Sequence, residues 1–249
     1  MYNLPPMKIA SLNTWGHDGP YTERWEVLLE ELELLNPDVL CLQEVFEPTL
    51  PERIQKKLNF PCAAASYEAG LVSLSRFPML GQKNFKYETI SPIEIYDRRF
   101  TVATLEVGKE ILNVVNTHLA WKPEDESTRH GQVRELLRVV SEEGSPAILA
   151  GDFNDVPESA PLVEAKQAGY CDLYALFHPN ERGLTWDNRN PFVQGHNVKL
   201  PDRRIDFLMI RETLLARHPP LSCELAFSRP NRRGIYPSDH YGVFAEIEF

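Results

Sequence analysis

The sequence predicts an α/β sandwich of four layers, in which two mixed β-sheets pack face to face and α-helices flank them. Segments with strand patterns outnumber segments with helix patterns along the 249 residues. The helical segments fall between particular strands rather than after every strand, which disfavours a single doubly wound sheet. No shift in composition marks a linker, so residues 1–249 are expected to form a single domain.

The first elements predict a strand, a helix and a second strand. Residues 7–13 form a short apolar run, and Thr22 can cap a helix whose apolar positions follow helical spacing up to Asn36. Residues 38–43 have the pattern of a fully buried strand, with Glu44 at its carboxyl end. Such a unit favours two parallel neighbouring strands joined by a crossover on one face of the sheet.

The rest of the chain predicts a hairpin, a helix and four further strands. Residues 100–107 and 111–119 predict a hairpin through the tight turn at residues 108–110. Ser127 opens a helix that carries Val133, Leu136 and Val140 on one side. Further strands are predicted at residues 70–74, 147–150, 205–210 and 241–247.

The composition limits the classes of partner. The formal net charge is −10, whereas a protein that grips duplex DNA non-specifically needs several Lys or Arg side chains along the phosphates. The basic pairs are too few for a nucleic-acid footprint, although they suffice to hold one or two phosphates. They are Arg98-Arg99, Arg203-Arg204 and Arg232-Arg233.

Nothing in the sequence predicts stable membrane insertion. Residues 1–7 lack a basic segment followed by an apolar run, and no stretch approaches the roughly 20 apolar residues of a membrane span. We therefore expect a cytoplasmic protein. The four cysteines are scattered, and Cys41 lies inside an apolar run, as a reduced buried thiol does, so neither a zinc site nor a disulfide framework is expected.

Five short segments share one layout, in which an apolar run ends and polar residues of catalytic type follow at once. A sixth segment, around Asp206, places an acid at the beginning of a strand. Within a strand of period two, Asp152 and Asn154 would point to the same side. The five segments are Ser11-Leu12-Asn13-Thr14-Trp15, Leu42-Gln43-Glu44, Asn116-Thr117-His118-Leu119, Gly151-Asp152-Phe153-Asn154 and Ser238-Asp239-His240.

Each segment alone has a structural explanation. A lone Glu after a strand is usually solvated, Gly-Asp-Phe-Asn is typical of a turn, and His118 between apolar neighbours is typical of a hydrogen-bonded structural histidine. The whole set in one order changes this interpretation. Hydrolysis of a phosphate ester needs an in-line water and positive charge around the phosphate oxygens and the departing oxygen, and a metal ion with two cationic imidazoles supplies that charge.

The set resembles the endonuclease/exonuclease/phosphatase superfamily, which includes DNase I-like nucleases, abasic-site endonucleases, inositol polyphosphate phosphatases and neutral sphingomyelinases. The resemblance runs from about Lys8 to Phe249 and implies a DNase I-like fold and a hydrolase of phosphate esters. It also implies a Mg²⁺ ion, with Mn²⁺ as a possible substitute. Mg²⁺ prefers the carboxylate and amide oxygens that these segments provide. It leaves open whether one or two ions take part.

The resemblance also implies roles for individual residues. Glu44, Asn13 and Asp239 would bind the metal ion. Asp152 would orient or deprotonate the attacking water, and Asn154 would hold a phosphate oxygen. His240, paired with Asp206, would donate hydrogen bonds to the phosphate, and His118 would contact the phosphate or the leaving group.

Four further residues are candidates for substrate binding. Arg98 or Arg99 aligns approximately with an arginine near the substrate phosphate in some relatives, with a surface ion pair as the alternative. Trp121 and Trp186 are expected in loops that overhang the site, where an indole could stack on a base or an apolar headgroup. The alternative is that each tryptophan seals the edge of the core.

The substrate class stays open between a nucleic acid, a lipid headgroup and a small molecule. Residues 13–16 and 201–206 are similar to segments of neutral sphingomyelinases and of many bacterial hydrolases, yet the chain shows no long hydrophobic hairpin for bilayer contact. Residues 126–129 are similar to a segment of the enzymes that release tyrosine from DNA ends. The prediction is a phosphodiesterase, with a phosphomonoesterase or nuclease on the same scaffold, or a non-catalytic binding module, as alternatives.

Overall fold

The computed structural model describes residues 5–249, so the expectation about the N-terminal segment falls largely outside it. The described residues form two six-stranded sheets. Their strands are β1 (Met7–Asn13), β2 (Val39–Gln43), β3 (Cys62–Ser66), β4 (Leu71–Ser75), β5 (Met79–Lys86), β6 (Arg99–Val107), β7 (Glu110–His118), β8 (Ala147–Asp152), β9 (Tyr170–Asp172), β10 (Asp206–Arg211), β11 (Pro220–Ala226) and β12 (Gly242–Ile247).

Helices cover the outer faces of the sheets. The longest are α1 and α3, and a 3₁₀ turn at Tyr67–Ala69 precedes β4. The helices are α1 (Tyr21–Leu35), α2 (Thr49–Leu58), α3 (Glu126–Glu142), α4 (Ala160–Gln167), α5 (Leu173–Phe177), α6 (Pro191–Gln194) and α7 (Glu212–Leu215).

The predicted four-layered sandwich is confirmed. The first sheet has the strand order β11-β12-β1-β2-β4-β3 and the second has the order β5-β6-β7-β8-β10-β9. One apolar cluster lies between the sheets and includes Ile9 and Val114. A second joins the first sheet to α1 and α2, and a third joins the second sheet to α3 and α4.

Strand direction gathers the polar segments at one end of the sandwich. β1 and β2 are parallel, as predicted, and so are β7 and β8, where His118 pairs with Asp152. β10 runs antiparallel to β8, so its first residue, Asp206, also lies opposite Asp152. β12 runs antiparallel to β1, which brings the residues before it to the carboxyl end of β1.

Some element boundaries differ from the prediction. The hairpin of β6 and β7 is confirmed, but Thr22 lies inside α1, which follows Pro20 and has no side-chain cap. Proline fits the start of a helix because its fixed φ angle is already helical. The sequence did not predict β5, whose side chains are mostly exposed and therefore lack an alternating apolar pattern. The sequence also did not predict the short strands β3, β9 and β11 or the helices α2 and α4 to α7.

The structure bears on two sequence predictions, one about membrane insertion and one about the cysteines. No helix within residues 5–249 has both the length and the apolar character that crossing a bilayer requires. Cys41 lies fully buried in β2, and burial raises the pKa of its thiol to about 12. The thiol therefore stays protonated and unreactive at neutral pH.

Candidate active site

The side chains of Asn13, Glu44 and Asp239 lie together where the first sheet ends. The amide nitrogen Nδ2 of Asn13 donates to Glu44 Oε1 at 3.1 Å and to Asp152 Oδ2 at 3.0 Å. Ser238 Oγ lies 2.7 Å from the backbone oxygen of Asn13 and 3.1 Å from Asp239 Oδ1. Asn13 therefore ties the expected metal ligands of the first sheet to the carboxylate at the end of the second.

The surroundings of Glu44 fit a divalent cation. Burial and the charge of Asp239 raise the pKa of Glu44, while the Asn13 hydrogen bond and the charges of His240 and Arg98 oppose that rise. A nearby cation stabilises the anionic form of a partly buried carboxylate such as that of Glu44. The backbone of Glu44 has φ +60°, a conformation that side-chain-bearing residues rarely adopt and that is often found at functional sites.

Asp152 ends β8 in the middle of the group. Gly151 before it has φ +140°, and a Cβ there would lie 2.0 Å from the backbone oxygen of Thr117, so only glycine allows the close approach to β7. Burial and the charge of Asp206 raise the pKa of Asp152 to about 7, although His240 and two hydrogen bonds oppose the rise. This carboxylate is a stronger base than an ordinary aspartate.

His240 and Asp206 form a buried pair beside Asp152. His240 Nδ1 donates to Asp206 Oδ2 at 2.9 Å, and His240 Nε2 lies 3.9 Å from Asp152 Oδ2. Burial lowers the pKa of His240, but the charges of Asp206, Asp239 and Asp152 outweigh it and raise the value to about 10. Donor atoms of Asp152, Asp206 and His240 lie within 4.8 Å of one another, yet a protonated imidazole has no lone pair for a metal ion.

His118, at the end of β7, is in the opposite state. Its Nε2 lies 3.4 Å from Asp152 Oδ2. Burial lowers the pKa of His118 well below its usual range, and the charges of Arg98 and His240 lower it further. Burial and these two charges favour a neutral imidazole at His118, which differs from the expectation that both imidazoles are cationic.

A turn after β8 positions Asn154 at the site, whereas the sequence predicted that strand alternation would do so. Because β8 ends at Asp152, strand alternation does not orient Asn154, which has φ +53°. The backbone nitrogen of Asn154 donates to Asp152 Oδ1 at 2.8 Å, and its Nδ2 donates to the backbone oxygen of Leu119 at 3.1 Å. A turn held by Asp152 therefore places both residues together.

The two arginine candidates have different surroundings. Arg98 donates to the buried carboxylate of Glu94 at 3.0 Å, and its charge acts on both Glu44 and His118. Arg99 lies 3.5 Å from Glu68, which is largely exposed. Arg98 therefore lies close enough to act electrostatically on two of the candidate site residues, whereas Arg99 forms a surface ion pair.

The two tryptophan candidates also differ. Trp121 is partly exposed, and the Lys122 ammonium lies 4.0 Å from the centre of its ring. Trp186 is only 6% exposed and packs with Val193 and Ile205. The expectation that Trp186 overhangs the site is wrong, because this indole is buried and packs against His240. The centres of the two rings lie 5.1 Å apart.

Three residues near the site were missed from the sequence. Arg24 is fully buried and donates to backbone oxygens of the loops at both ends of the site, including Thr14 at 2.7 Å and Pro237 at 3.0 Å. His196 Nε2 lies 2.8 Å from Asp239 Oδ2. Burial lowers the pKa of Arg203, while the charges of Asp152 and other carboxylates oppose this.

A sequence signal existed for only one of the three. Arg24 interrupts the apolar face of α1, next to Trp25, and an arginine in such a position needs buried partners. His196 lies in a polar loop, and Arg203 stands out in the sequence only as half of a basic pair. Their positions depend on contacts between segments distant in sequence.

The chain was compared with known proteins. Residues 10–240 match the model of the Endonuclease/Exonuclease/phosphatase family. Tyrosyl-DNA phosphodiesterase 2 of Gallus gallus is 25% identical over 96% of this chain and 66% of the relative. Inositol phosphosphingolipids phospholipase C of Schizosaccharomyces pombe is 28% identical over 96% of this chain and 68% of the relative.

Solved structures share the fold. The crystal structure of D. rerio TDP2 complexed with single-strand DNA product superimposes with a TM-score of 0.81 at 22% identity, covering 98% of this chain and 99% of that one. The family match spans most of the sequence, including all the segments that build the site. The chain therefore belongs to the endonuclease/exonuclease/phosphatase family of phosphate-ester hydrolases.

Proposed function

We propose that this chain is a Mg²⁺-dependent phosphodiesterase. The observation that carries the proposal is the Asn13 amide, which donates to both Glu44 and Asp152 and so supports a cation site at Glu44 beside a carboxylate of raised pKa. Two relatives support cleavage of a diester, since their names describe a phosphodiesterase and a phospholipase C. The substrates of those relatives are not assumed for this chain.

Glu44 and Asp239 would hold the metal ion, with the Asn13 side chain beside them. Their oxygens suit Mg²⁺ or Mn²⁺, which are hard cations. When bound, the ion would supply positive charge that stabilises the phosphate and the departing oxygen. Asp239 is buried and Glu44 is only partly exposed, and electrostatic interactions are stronger away from bulk water.

Asp152 would act as the general base. As the oxygen of water attacks phosphorus, a water proton passes to Asp152 Oδ2, the bond from phosphorus to the leaving oxygen breaks, and that oxygen takes a proton from solvent. A pKa of about 7 suits this role, because about half of such a base is ionised at neutral pH and it still holds a proton well.

The other side chains would bind the phosphate. His240, held as a cation by Asp206, donates from Nε2 to a phosphate oxygen as negative charge accumulates. His118 is neutral and contributes a hydrogen bond rather than a charge. Asn154 and Arg98 lie at the same end of the sandwich and would hold and orient the remaining oxygens.

The test is hydrolysis of bis-p-nitrophenyl phosphate, with p-nitrophenyl phosphate as the monoester comparison. We expect turnover with Mg²⁺ or Mn²⁺, loss with EDTA and recovery when the ion is returned. Glu44→Gln should abolish turnover, whereas Glu68→Gln, the same change at a largely exposed position, should not. Metal-replete protein that cleaves neither ester would refute the proposal.

A further inference from the structure

The loop between β5 and β6 exposes apolar side chains that a folded protein usually buries. Ile90, Ile93, Ile95 and Tyr96 are 60%, 50%, 92% and 59% exposed. Single exposed hydrophobic residues are common, but a contiguous group of them often marks a contact surface. We call residues 90–96 the apolar loop.

Hydrogen bonds fix the apolar loop in place. Ser91 Oγ accepts the backbone N–H groups of Ile93 at 3.2 Å and Glu94 at 3.0 Å. The carboxylate of Glu94 is fully buried, where it accepts Arg98 Nε at 3.0 Å and the backbone N–H of Lys122 at 3.1 Å. The exposed isoleucines are therefore held outward by a formed structure, and none of them belongs to the apolar clusters found within residues 5–249.

The apolar loop borders the catalytic residues. Glu94 binds the backbone of Trp121 and Lys122, which follow His118 closely in the chain. Phe46, two residues beyond Glu44, is 50% exposed. A Cβ at Gly16 would lie 3.6 Å from the Phe46 ring and 3.7 Å from Glu44 Oε2, so that ring lies close to the proposed metal ligand.

The chemistry of this border distinguishes two kinds of substrate. Three of the four exposed side chains of the apolar loop are isoleucines, which offer no ring on which a base can stack, and the fourth is Tyr96. A nucleic acid would also need a row of cations, on a chain whose formal charge is −10. Arg98 and Lys122 beside isoleucines instead complement one phosphate attached to a hydrocarbon portion. The net negative charge favours a zwitterionic surface over an anionic one.

We infer that the substrate is an amphiphilic phosphodiester presented at a zwitterionic lipid surface, which the apolar loop and Phe46 contact while the phosphate enters the site. This inference rests on the proposed phosphodiesterase activity. It assigns the apolar side chains to surface contact and leaves the hydrolytic step to the residues already described.

Binding is tested with vesicles of phosphatidylcholine, using Asp152→Asn in every protein so that no substrate is consumed. The double variant Ile93→Glu/Ile95→Glu should reduce co-sedimentation at least about tenfold, because it removes apolar contact and adds charge. Leu34→Glu/Leu221→Glu is the matched control, since these side chains are 85% and 49% exposed at other positions, and it should retain binding within about twofold. Equal losses in both variants, or no binding by the parent protein, would overturn the inference.

Binding of a single-stranded oligonucleotide tests the competing possibility that the apolar loop contacts a nucleic acid. If the loop variant loses oligonucleotide binding and keeps vesicle binding, the loop serves a nucleic acid and the inference is wrong. In the active protein, the same variant should keep turnover of soluble bis-p-nitrophenyl phosphate and lose it on sphingomyelin or lysophosphatidylcholine in vesicles. Absent soluble turnover combined with loop-dependent vesicle binding would refute the proposed activity and leave the surface contact standing.

Discussion

The two histidines of the site differ in charge although they are buried to the same degree. His118 is 7% exposed and His240 is 5% exposed, and both have Nε2 within 4 Å of the same Asp152 oxygen. Burial lowers the pKa of both rings. His240 is nevertheless protonated because it lies among the carboxylates of Asp206, Asp239 and Asp152, whereas His118 lies near Arg98 and stays neutral.

The difference shows that neighbouring charges, rather than burial, decide what each imidazole does. Asp206 is placed by the antiparallel strand β10, which brings it opposite Asp152 and next to His240 Nδ1. β7 supplies His118 with no equivalent carboxylate of its own. The imidazole is therefore protonated on the His240 side of the site, here called the cationic side, and neutral on the His118 side, here called the neutral side, where the nearby cation is Arg98.

The largest expected effect is on turnover. Asp152→Ala and His240→Ala should each lower kcat for bis-p-nitrophenyl phosphate at least about 10²-fold, since they remove the base and the cationic donor. His118→Ala should lower kcat less, because it removes a neutral hydrogen-bonding group. Circular dichroism would check that each variant folds. If loss of His118 reduced kcat as much as loss of His240, the two-sided description would fail.

The charge difference should also appear in the pH dependence of stability without metal. The pKa of His240 is raised to about 10, so its stabilising contribution is complete below its ordinary pKa, near 6.5, and is lost as pH rises through 10. The free energy of unfolding of the wild type, relative to His240→Gln, should fall by up to about 1.4 kcal/mol per pH unit between pH 8 and 10. Asp152 is ionised in both states over that range.

Urea unfolding in EDTA would measure this slope. His118→Gln serves as the comparison, because the lowered pKa of His118 means that its titration is complete below this range. That variant should keep the wild-type slope. A slope that persists in His240→Gln would show that His240 is not the titrating group.

A smaller effect is expected for His196, which bonds to Asp239 on the cationic side. His196→Ala should weaken Mn²⁺ binding by about tenfold, because residues that orient metal ligands commonly contribute one to two orders of magnitude in affinity. Isothermal titration calorimetry measures this directly. His130→Ala is a control, since His130 pairs with Glu164 on α4 instead, and unchanged affinity in His196→Ala would contradict the role.

The smallest expected effect separates the two arginines near the neutral side. Arg98→Ala should raise KM for the diester severalfold by removing a cation close to Glu44 and His118. Arg99→Ala should leave both kcat and KM near the wild-type values, because its partner is the exposed Glu68. Steady-state kinetics of the two variants test this, and equal effects would contradict the assignment of Arg98.

The sequence alone determined the sandwich architecture, the main strands and the set of polar segments that end them. These features depend on local patterns, namely apolar periodicity and polar residues at strand ends, and such patterns survive in the linear sequence. The family resemblance then implied that Glu44, Asp152 and His240 act together, although they are far apart in the chain.

Only the tertiary structure decided the charge of each histidine, the burial of Trp186 and the partners of Arg98 and Arg99. A pKa depends on desolvation and on charges within a few ångströms, and those charges come from other strands and loops. The sequence also did not show that the isoleucines of residues 90–96 point outward. A short segment that mixes apolar and polar residues fits a buried strand as well as an exposed loop. Burial and electrostatic environment are properties of packing, which residue order specifies only through the complete fold.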